Sequence, residues 1–314
     1  MSTFQVLTPG SCTTVQDKGR YGYQEIGVPL SGALDLFACR IANLLVGNPE
    51  ECAILEITVI GPRFSVLQEA DVALTGAEMG ATLNNKPVET WTSFRVKRGD
   101  VLTIGQIKNG CRTYMAVTGG IEVPIVMGSR STHIGGMLGG HCGRPFRKGD
   151  FLHKGQGILL NKHRRLSSLY RPNYQSEIVL RVIPGPQDFY FREGLETFFK
   201  SAFSVSARAD RMGYRLNGPK IKFLENMSES IISEPIMPGS VQIPADGQPI
   251  ILLVEQTVGG YAKIATVIST DLPKLAQAIP GNTIRFKPIT IEESHRLYLD
   301  NEKLIKEISS AWRN

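Results

Sequence analysis

The chain has no Cys-x-x-Cys pair, although five cysteines occur in its 314 residues: Cys12, Cys39, Cys52, Cys111 and Cys142. An odd, scattered set reads as free thiols in a reducing compartment. His141-Cys142, with His133 upstream, could be half a metal site. No second pair with zinc-ligand spacing follows, so no metal is expected. There is no G-x-x-x-x-G-K-[ST] loop and no G-x-G-x-x-G at a strand–helix junction. A G-x-S-x-G elbow and an H-E-x-x-H helix are also missing, as is an Ala-Met-Lys-Met biotin-attachment sequence. If the chain shares in ATP- or biotin-driven chemistry, another chain must bring the nucleotide or the biotin. The opening "MSTFQVLTPG" has neither a charged n-region nor a long apolar core, so no secretory signal is expected. No run reaches the ~18 apolar residues of a membrane span. A soluble cytoplasmic protein is the expectation. Net charge is +6, from 35 basic and 29 acidic residues. The longest basic cluster, "KHRR" at Lys162 to Arg165, lacks interleaved aromatics, which argues against nucleic-acid binding. The excess suits a small anionic substrate or an acidic protein partner.

Apolar residues make up 42% of the chain, enough for a sizeable core and about two domains. Most of the sequence reads as short strands between Gly and Pro turns, such as "ILEITVIG", "DVALTG" and "RTYMAV", then "EIVLRVIPG", "SVQIP" and "KIATVI". Such frequent strands predict barrels or sandwiches instead of βαβ units. Two helices stand out. In one, Leu34, Phe37, Ala38, Ile41, Ala42 and Leu45 share a face, and Gly47 and Pro49 supply the stop. The other runs from about Ile291 to Trp312, with Thr290 and Glu293 in a capping-box pattern. Leu297, Leu304, Ile305, Ile308 and Trp312 form its apolar stripe. A weak internal echo pairs "RYGY" with "RMGY", "IGPRFSV" with "NGPKIKF", and "RGDVL" with "KGDFL" and "PGNTI". It suggests two related β-subdomains, joined by a polar linker from Asn161 to Ser176.

Five clusters combine glycine with ionisable side chains. "TTVQDKGRYGYQEIGVPLSGALD" holds Gln16, Asp17, Arg20, Tyr23, Ser31 and Asp35 among four glycines, which let a backbone approach a ligand closely. "GSRST" at Gly128 to Thr132 offers a guanidinium, Arg130, able to clamp a carboxylate or to pair with a structural Asp. "GGMLGGHCGRPFRKGD" could be an anion-binding nest or a folded surface loop. "SARADRMGYRLNG" reads as a local network of Asp210, Arg211 and Arg215. "ISEPIMPGSVQIPADGQPI" joins the stretch "VEQTVGGYAKIATVISTDL". Glu234 lies there in a strand-like run, and a buried glutamate would need a partner or carry a raised pKa. No P-loop Lys-Ser/Thr follows Gly259-Gly260. That stretch therefore reads as a hairpin-like turn displaying Gln256, Tyr261 and Lys263.

Together these segments resemble the 5-oxoprolinase C-chain family (PxpC), also known as allophanate hydrolase subunit 2, KipA, or the biotin-dependent carboxyltransferase family. The resemblance runs from about Phe4 to Ile289, with several long motifs in order. It departs at Ala262, where the family often has Pro, and at Glu255, where Asp or another polar residue is common. The family implies a mainly β fold with two cyclophilin-like β-barrel subdomains, few helices and a C-terminal helix. Expected bounds are 1–165, 175–290 and 291–314. It implies a KipI-like partner, which is the B chain of 5-oxoprolinase, together with the A chain of that enzyme, and a site shared between chains. The complex would use ATP to open 5-oxo-L-proline to L-glutamate. One alternative is carboxyl transfer from biotin to urea or another amide. Another is non-catalytic binding of a KipI-like kinase inhibitor. On the first reading Gln256, Thr257, the N–H groups of Gly259 and Gly260, and Lys263 are candidate donors to the developing charge. Tyr261 could relay a proton, and Glu234 or Asp17 could act as base. Arg20 or Arg130 could hold the substrate carboxylate, with Ser31 and Asp35 in the same binding loop.

Overall fold

The computed structural model of the protein describes residues 2–312. They form two compact units. The first holds the residues up to Tyr21, Ser31–Tyr174, and those from Glu307 onward; the second holds Gly22–Leu30 and Gln175–Lys306. The mainly β architecture expected from the sequence is present.

In the first unit a five-stranded antiparallel sheet runs in the order Cys12–Gln16, Ile54–Thr58, Asn109–Val117, Ala70–Glu78, Ser93–Val96. A six-stranded sheet contains Phe4–Thr8 and Arg63–Val66. Side chains alternate across a strand. Val15, Leu55, Ile57, Val72, Leu74, Met115 and Val117 therefore face one core, shared with Phe4, Val6, Phe64 and Leu102 of the other sheet. The alternation puts a different row on the opposite face. Thr14 pairs with Glu56, Glu56 with Tyr114, and Tyr114 with Thr75 in cross-strand register. All four are buried. They are covered by helix α1, Leu36–Leu45, whose Ala38 carbonyl accepts the Thr75 hydroxyl. Asp35 is the N-cap of α1, accepting the Ala38 N–H at 2.9 Å.

The stretch read as a linker is packed in its first half. Asp71 is fully buried and accepts the Leu160 N–H and both arms of Arg95. Ser93 exchanges bonds with Arg164. The Arg164 guanidinium donates to the carbonyls of Leu44 and Trp312, capping α1 and the chain's last described turn.

The second unit is a closed seven-stranded barrel. Its strands, in spatial order, are Glu177–Pro184, Ala262–Val267, Ser240–Ile243, Ile250–Leu252, Gly213–Asn217, Phe203–Val205 and Thr283–Pro288. A parallel pairing of Glu177–Pro184 with Thr283–Pro288 closes the ring and leaves no free edge. Leu180, Leu216, Val241, Ile251, Ile264 and Ile284 fill the core. Helix α2, Arg192–Lys200, stacks Phe198 on Phe286 with ring centroids 4.2 Å apart. Helix α3, Leu272–Ala276, follows the Ala262–Val267 strand. Helix α4, Ile291–Ala311, begins where the sequence places it. The Glu293 N–H donates to Thr290 Oγ1, as a capping hydroxyl should receive it.

One part of the internal echo is structural. In "RGD", "KGD" and "PGN" the glycines Gly99, Gly149 and Gly281 have φ of 93°, 91° and 90°. In each turn the Asx side chain receives a backbone N–H three residues upstream: Lys97 to Asp100, Arg147 to Asp150, Ile279 to Asn282. The same local chemistry thus recurs before three strands. The other echoes are not equivalent. "RFSV" is a strand, whereas the residues around Lys220–Phe223 are not.

Two predictions arise here. A Cβ on Gly99 meets nothing within 4 Å, whereas one on Gly10 (φ 72°) meets the Ile60 carbonyl oxygen at 2.2 Å. Gly99→Ala is expected to cost about 1 kcal/mol from backbone strain alone, and Gly10→Ala several times that. Urea unfolding of both variants checks the ordering. The second concerns acid. Arg144 holds the Asp150 carboxyl down to about 2, helped by the Arg147 N–H and His141. A depressed folded-state pKa stabilises above the ordinary aspartate value of about 3.9 and is lost as pH falls towards 2. Asp150→Asn should flatten the stability–pH curve of the chain over that window, read by thermal melts. His141 stacks on Phe146 at 4.6 Å.

Candidate functional site

The sequence-predicted residues fall into two assemblies, one in each unit. In the first, Asp17 follows the strand Cys12–Gln16 and its carboxylate gathers the "GSRST" turn. Oδ1 accepts the Ser129 hydroxyl at 2.7 Å, the Ser131 hydroxyl at 2.5 Å and the Gly19 N–H at 2.8 Å. Oδ2 accepts the Arg130 N–H at 2.6 Å. Arg20 is 1% exposed and donates to the Val126 and Ser131 carbonyls. The Arg130 guanidinium donates to the Val123 carbonyl. Both arginines bond backbone of the segment 123–131, and Asp17 bonds its loop, so the three candidates build this turn.

Ser31 is buried with φ 54°, and its hydroxyl has no hydrogen-bond partner among the described residues. Asp35 accepts from Ala38 and from the Tyr174 hydroxyl, and its N–H donates to the Tyr114 hydroxyl. Tyr114 in turn donates to Glu56 at 2.9 Å, and Glu56 also takes the Leu34 N–H. Burial raises the Tyr114 phenol, and the charges of Glu56 and Asp35 raise it further. Burial and the same carboxylates push the Cys39 thiol up, which keeps it neutral and inert. Sequence reasoning does not pick out Glu56, Tyr114 or Cys39. Strand alternation carries the signal, since Glu56 and Tyr114 interrupt otherwise apolar runs.

The second assembly lies on the barrel. The Lys263 ammonium meets Glu234 Oε2 at 2.5 Å. Lys263 is on the strand Ala262–Val267, where the register with Ser240–Ile243 slips between Val241 and Gln242. A bulge of this kind re-aims side chains. The Gln187 amide donates to both Glu234 oxygens at 3.2 and 3.1 Å, and its oxygen accepts the Lys263 N–H at 3.1 Å. The Lys263 bond, then the Gln187 bond, lowers the Glu234 carboxyl below its ordinary range. The glutamate therefore has a partner, and its side chain is 42% exposed while that of Lys263 is 9% exposed. Sequence reasoning misses Gln187. Its signal is the Pro-Gly-Pro turn directly before it, where Gly185 lets the chain lie against the Lys263 carbonyl.

Gly259 and Gly260 do not make a hairpin. Val258–Gly259 pairs with Glu234–Pro235, not with the strand that follows. Neither glycine has positive φ. Gly259 is needed for close approach, since a Cβ would lie 2.5 Å from the Gln242 amide nitrogen and from Ile236 Cδ1. The Thr257 carbonyl accepts the Ile236 N–H and the amide of Gln24, which also donates to the Ile236 carbonyl. Gln256, Gly259, Gly260 and Tyr261 line a cavity of about 340 Å³ with Gln242, Arg208 and apolar side chains. Tyr261 is 42% exposed, and its carbonyl accepts the Gln242 amide. Lys263 and Glu234 are not among the lining residues.

The chain matches the family described as carboxyltransferase domain, subdomain A and B, over residues 26–288, and it belongs to that family. It is 38% identical to the C chain of the 5-oxoprolinase of Escherichia coli (strain K12) over 316 residues, covering 98% of each chain. It is 34% identical to the urea amidolyase of Lachancea kluyveri, covering 98% of this chain and 18% of that enzyme. Among solved structures, the Kluyveromyces lactis urea carboxylase superposes with TM-score 0.92 at 33% identity, over 98% of this chain and 29% of that one. No helix among the described residues is long and apolar enough to cross a membrane.

Proposed function

We propose that the chain is one component of an ATP-dependent 5-oxoprolinase, acting with a KipI-like B chain and an A chain. The end-to-end likeness to the C chain of the Escherichia coli 5-oxoprolinase carries this reading, because it covers 98% of both proteins. In the reaction one water adds to the lactam carbonyl carbon, the ring C–N bond breaks with a proton passing to the leaving nitrogen, and ATP with a second water becomes ADP and phosphate. ATP is a substrate of the complex. The sequence of this chain contains no phosphate-binding loop of the P-loop type, so the nucleotide is assigned to a partner.

What this chain contributes is the barrel assembly. Lys263 donates to charge developing on the amide oxygen, and Glu234 holds the ammonium in place. Glu234 is a weak base while so paired, so the proton relay is assigned to Tyr261, whose side chain lines the cavity. Asp17, Arg20 and Arg130 hold the first unit's turn in shape. The test is ATP-dependent glutamate release from 5-oxo-L-proline by the chain purified with its partner chains. No turnover with any combination of partners would sink the reading. A second reading, carboxyl transfer from biotin to urea or another amide, is favoured by the urea carboxylase likeness. Biotin-dependent activity in the same preparation would select it.

A further inference from the structure

The cavity of about 340 Å³ on the barrel has an apolar floor that includes Ile236, Ile250 and Leu252. Three arginines lie in the adjoining "SARADRMGYRLNG" segment, and they differ in what holds them. Arg211 donates to Glu255 with both Nε and Nη2 at 3.0 Å. Arg215 pairs with Asp246 at 2.5 Å. Arg208 lines the cavity, and its guanidinium makes no hydrogen bond or ion pair among the described residues. Asp210 lines the cavity too, its Oδ1 accepting the Met212 and Gly213 N–H groups, and Arg215 joins the lining, so the two arginines outnumber the one carboxylate there.

Opposite chemistry comes from Gln242. It is 3% exposed, and its Nε2 is committed to the Tyr261 carbonyl. Its Oε1 has no partner among the described residues. An amide oxygen that opens to the cavity from an otherwise buried side chain is held in place to accept an N–H. The side chains of Gln256 and Tyr261, also lining the cavity, make no bonds among the described residues either. An uncommitted guanidinium, an uncommitted amide acceptor and an apolar floor suit a small molecule with a carboxylate, an amide N–H and a compact hydrocarbon body.

We infer that this cavity is the binding site for a small carboxylate-bearing amide, with Arg208 pairing its carboxylate and Gln242 Oε1 accepting its N–H. The inference deepens the 5-oxoprolinase reading and rests on it for the identity of the molecule; Gln242 is the cross-strand partner of Lys263, so an amide held by Gln242 lies on the strand pair that carries the ammonium. It makes Arg208 a specificity residue. Urea has no carboxylate, so a site with Arg208 at its wall distinguishes a lactam acid from urea.

The experiment compares 5-oxo-L-proline with 2-pyrrolidinone, the same ring without the carboxylate. Equilibrium dialysis and steady-state kinetics are run on the assembled complex carrying wild-type chain, Arg208→Met or Arg208→Lys. Wild type should bind 5-oxo-L-proline at least about tenfold more tightly than 2-pyrrolidinone. Arg208→Met should lose that preference and raise KM for 5-oxo-L-proline by about tenfold or more, and Arg208→Lys should restore part of it. Because Arg208 holds no other side chain, the melting temperature should stay unchanged. Turnover with an unaltered KM in Arg208→Met overturns the site and leaves the functional reading standing. Carboxylate-selective binding that needs Arg208, without turnover of 5-oxo-L-proline, supports the site and removes the functional reading. Equal binding of the two rings by wild type overturns the site.

Discussion

Lys263→Met should lower the turnover of the assembled complex by about 10²–10⁴-fold, with little change in folding. The size follows from what the ammonium does in the proposed reaction. It is 9% exposed and fixed by Glu234 at 2.5 Å, so it is pre-aimed. A fixed donor stabilises developing charge without having to reorganise first. The small folding effect follows from Glu234. Its side chain is 42% exposed and keeps the Gln187 amide, so losing Lys263 does not strand a buried charge. With its carboxylate end open to water, the pair is worth about 1 kcal/mol. Measuring kcat beside the melting temperature separates the alternatives. A pair built only to hold the barrel would give the reverse pattern, a lower melting temperature with kcat preserved. The pH dependence has a definite sign. Glu234 is lowered from its ordinary range, so its carboxylate is present for the pair above that range and is lost on acidification below it. An alkaline-going rise in rate near neutrality therefore belongs to another group.

Asp17→Ala should be among the most destabilising substitutions in the first unit, by about 3–5 kcal/mol. Four donors converge on that carboxylate, two hydroxyls and two backbone N–H groups. The residue is 9% exposed, so little water is at hand to replace them. The melting temperature should fall by about 10 °C. Ser129→Ala and Ser131→Ala should each cost about 1 kcal/mol. The double variant should not be additive, because both hydroxyls share Oδ1. The diagnostic comparison is Asp17→Asn. It preserves shape but brings an N–H₂ against the donors at one position, so it should recover only part of the loss. If Asp17→Ala melts like wild type while losing turnover, the carboxylate acts on chemistry instead of on the turn.

The strands are legible because their alternation is local. "RTYMAV" lies within Asn109–Val117, and "EIVLRVIPG" contains Glu177–Pro184. Helix α1 is legible from its apolar spacing and its stop at Gly47. Helix α2 is not. Its nine residues carry one buried aromatic, Phe198, and its anchor is the distant Phe286. The site is half legible. Lys263 and Glu234 are both candidates from sequence, but nothing in a sequence pairs positions 29 residues apart across a slipped register. Arg20 and Arg130 stand out as charges in glycine-rich loops, and the structure commits both to backbone carbonyls. Arg208 looks ordinary in the sequence. Its distinction is a guanidinium left unengaged by its neighbours, a property that only the folded surroundings define.

The segment Gly22–Leu30 belongs to the second unit although it lies within the first unit's sequence. Gln24 meets its carbonyl partners 212 and 233 residues further along the chain. The first unit likewise includes residues from Glu307 onward. On a ribosome, therefore, the first unit cannot close when Tyr174 emerges. Its remaining piece arrives roughly 130 residues later, on the order of ten seconds at ordinary elongation rates. Over that interval Arg164 has no Trp312 carbonyl to grip, and Gln24 waits with both hydrogen bonds unmade. A gene cut at residue 175 would therefore deliver two fragments that each lack a piece of their own fold.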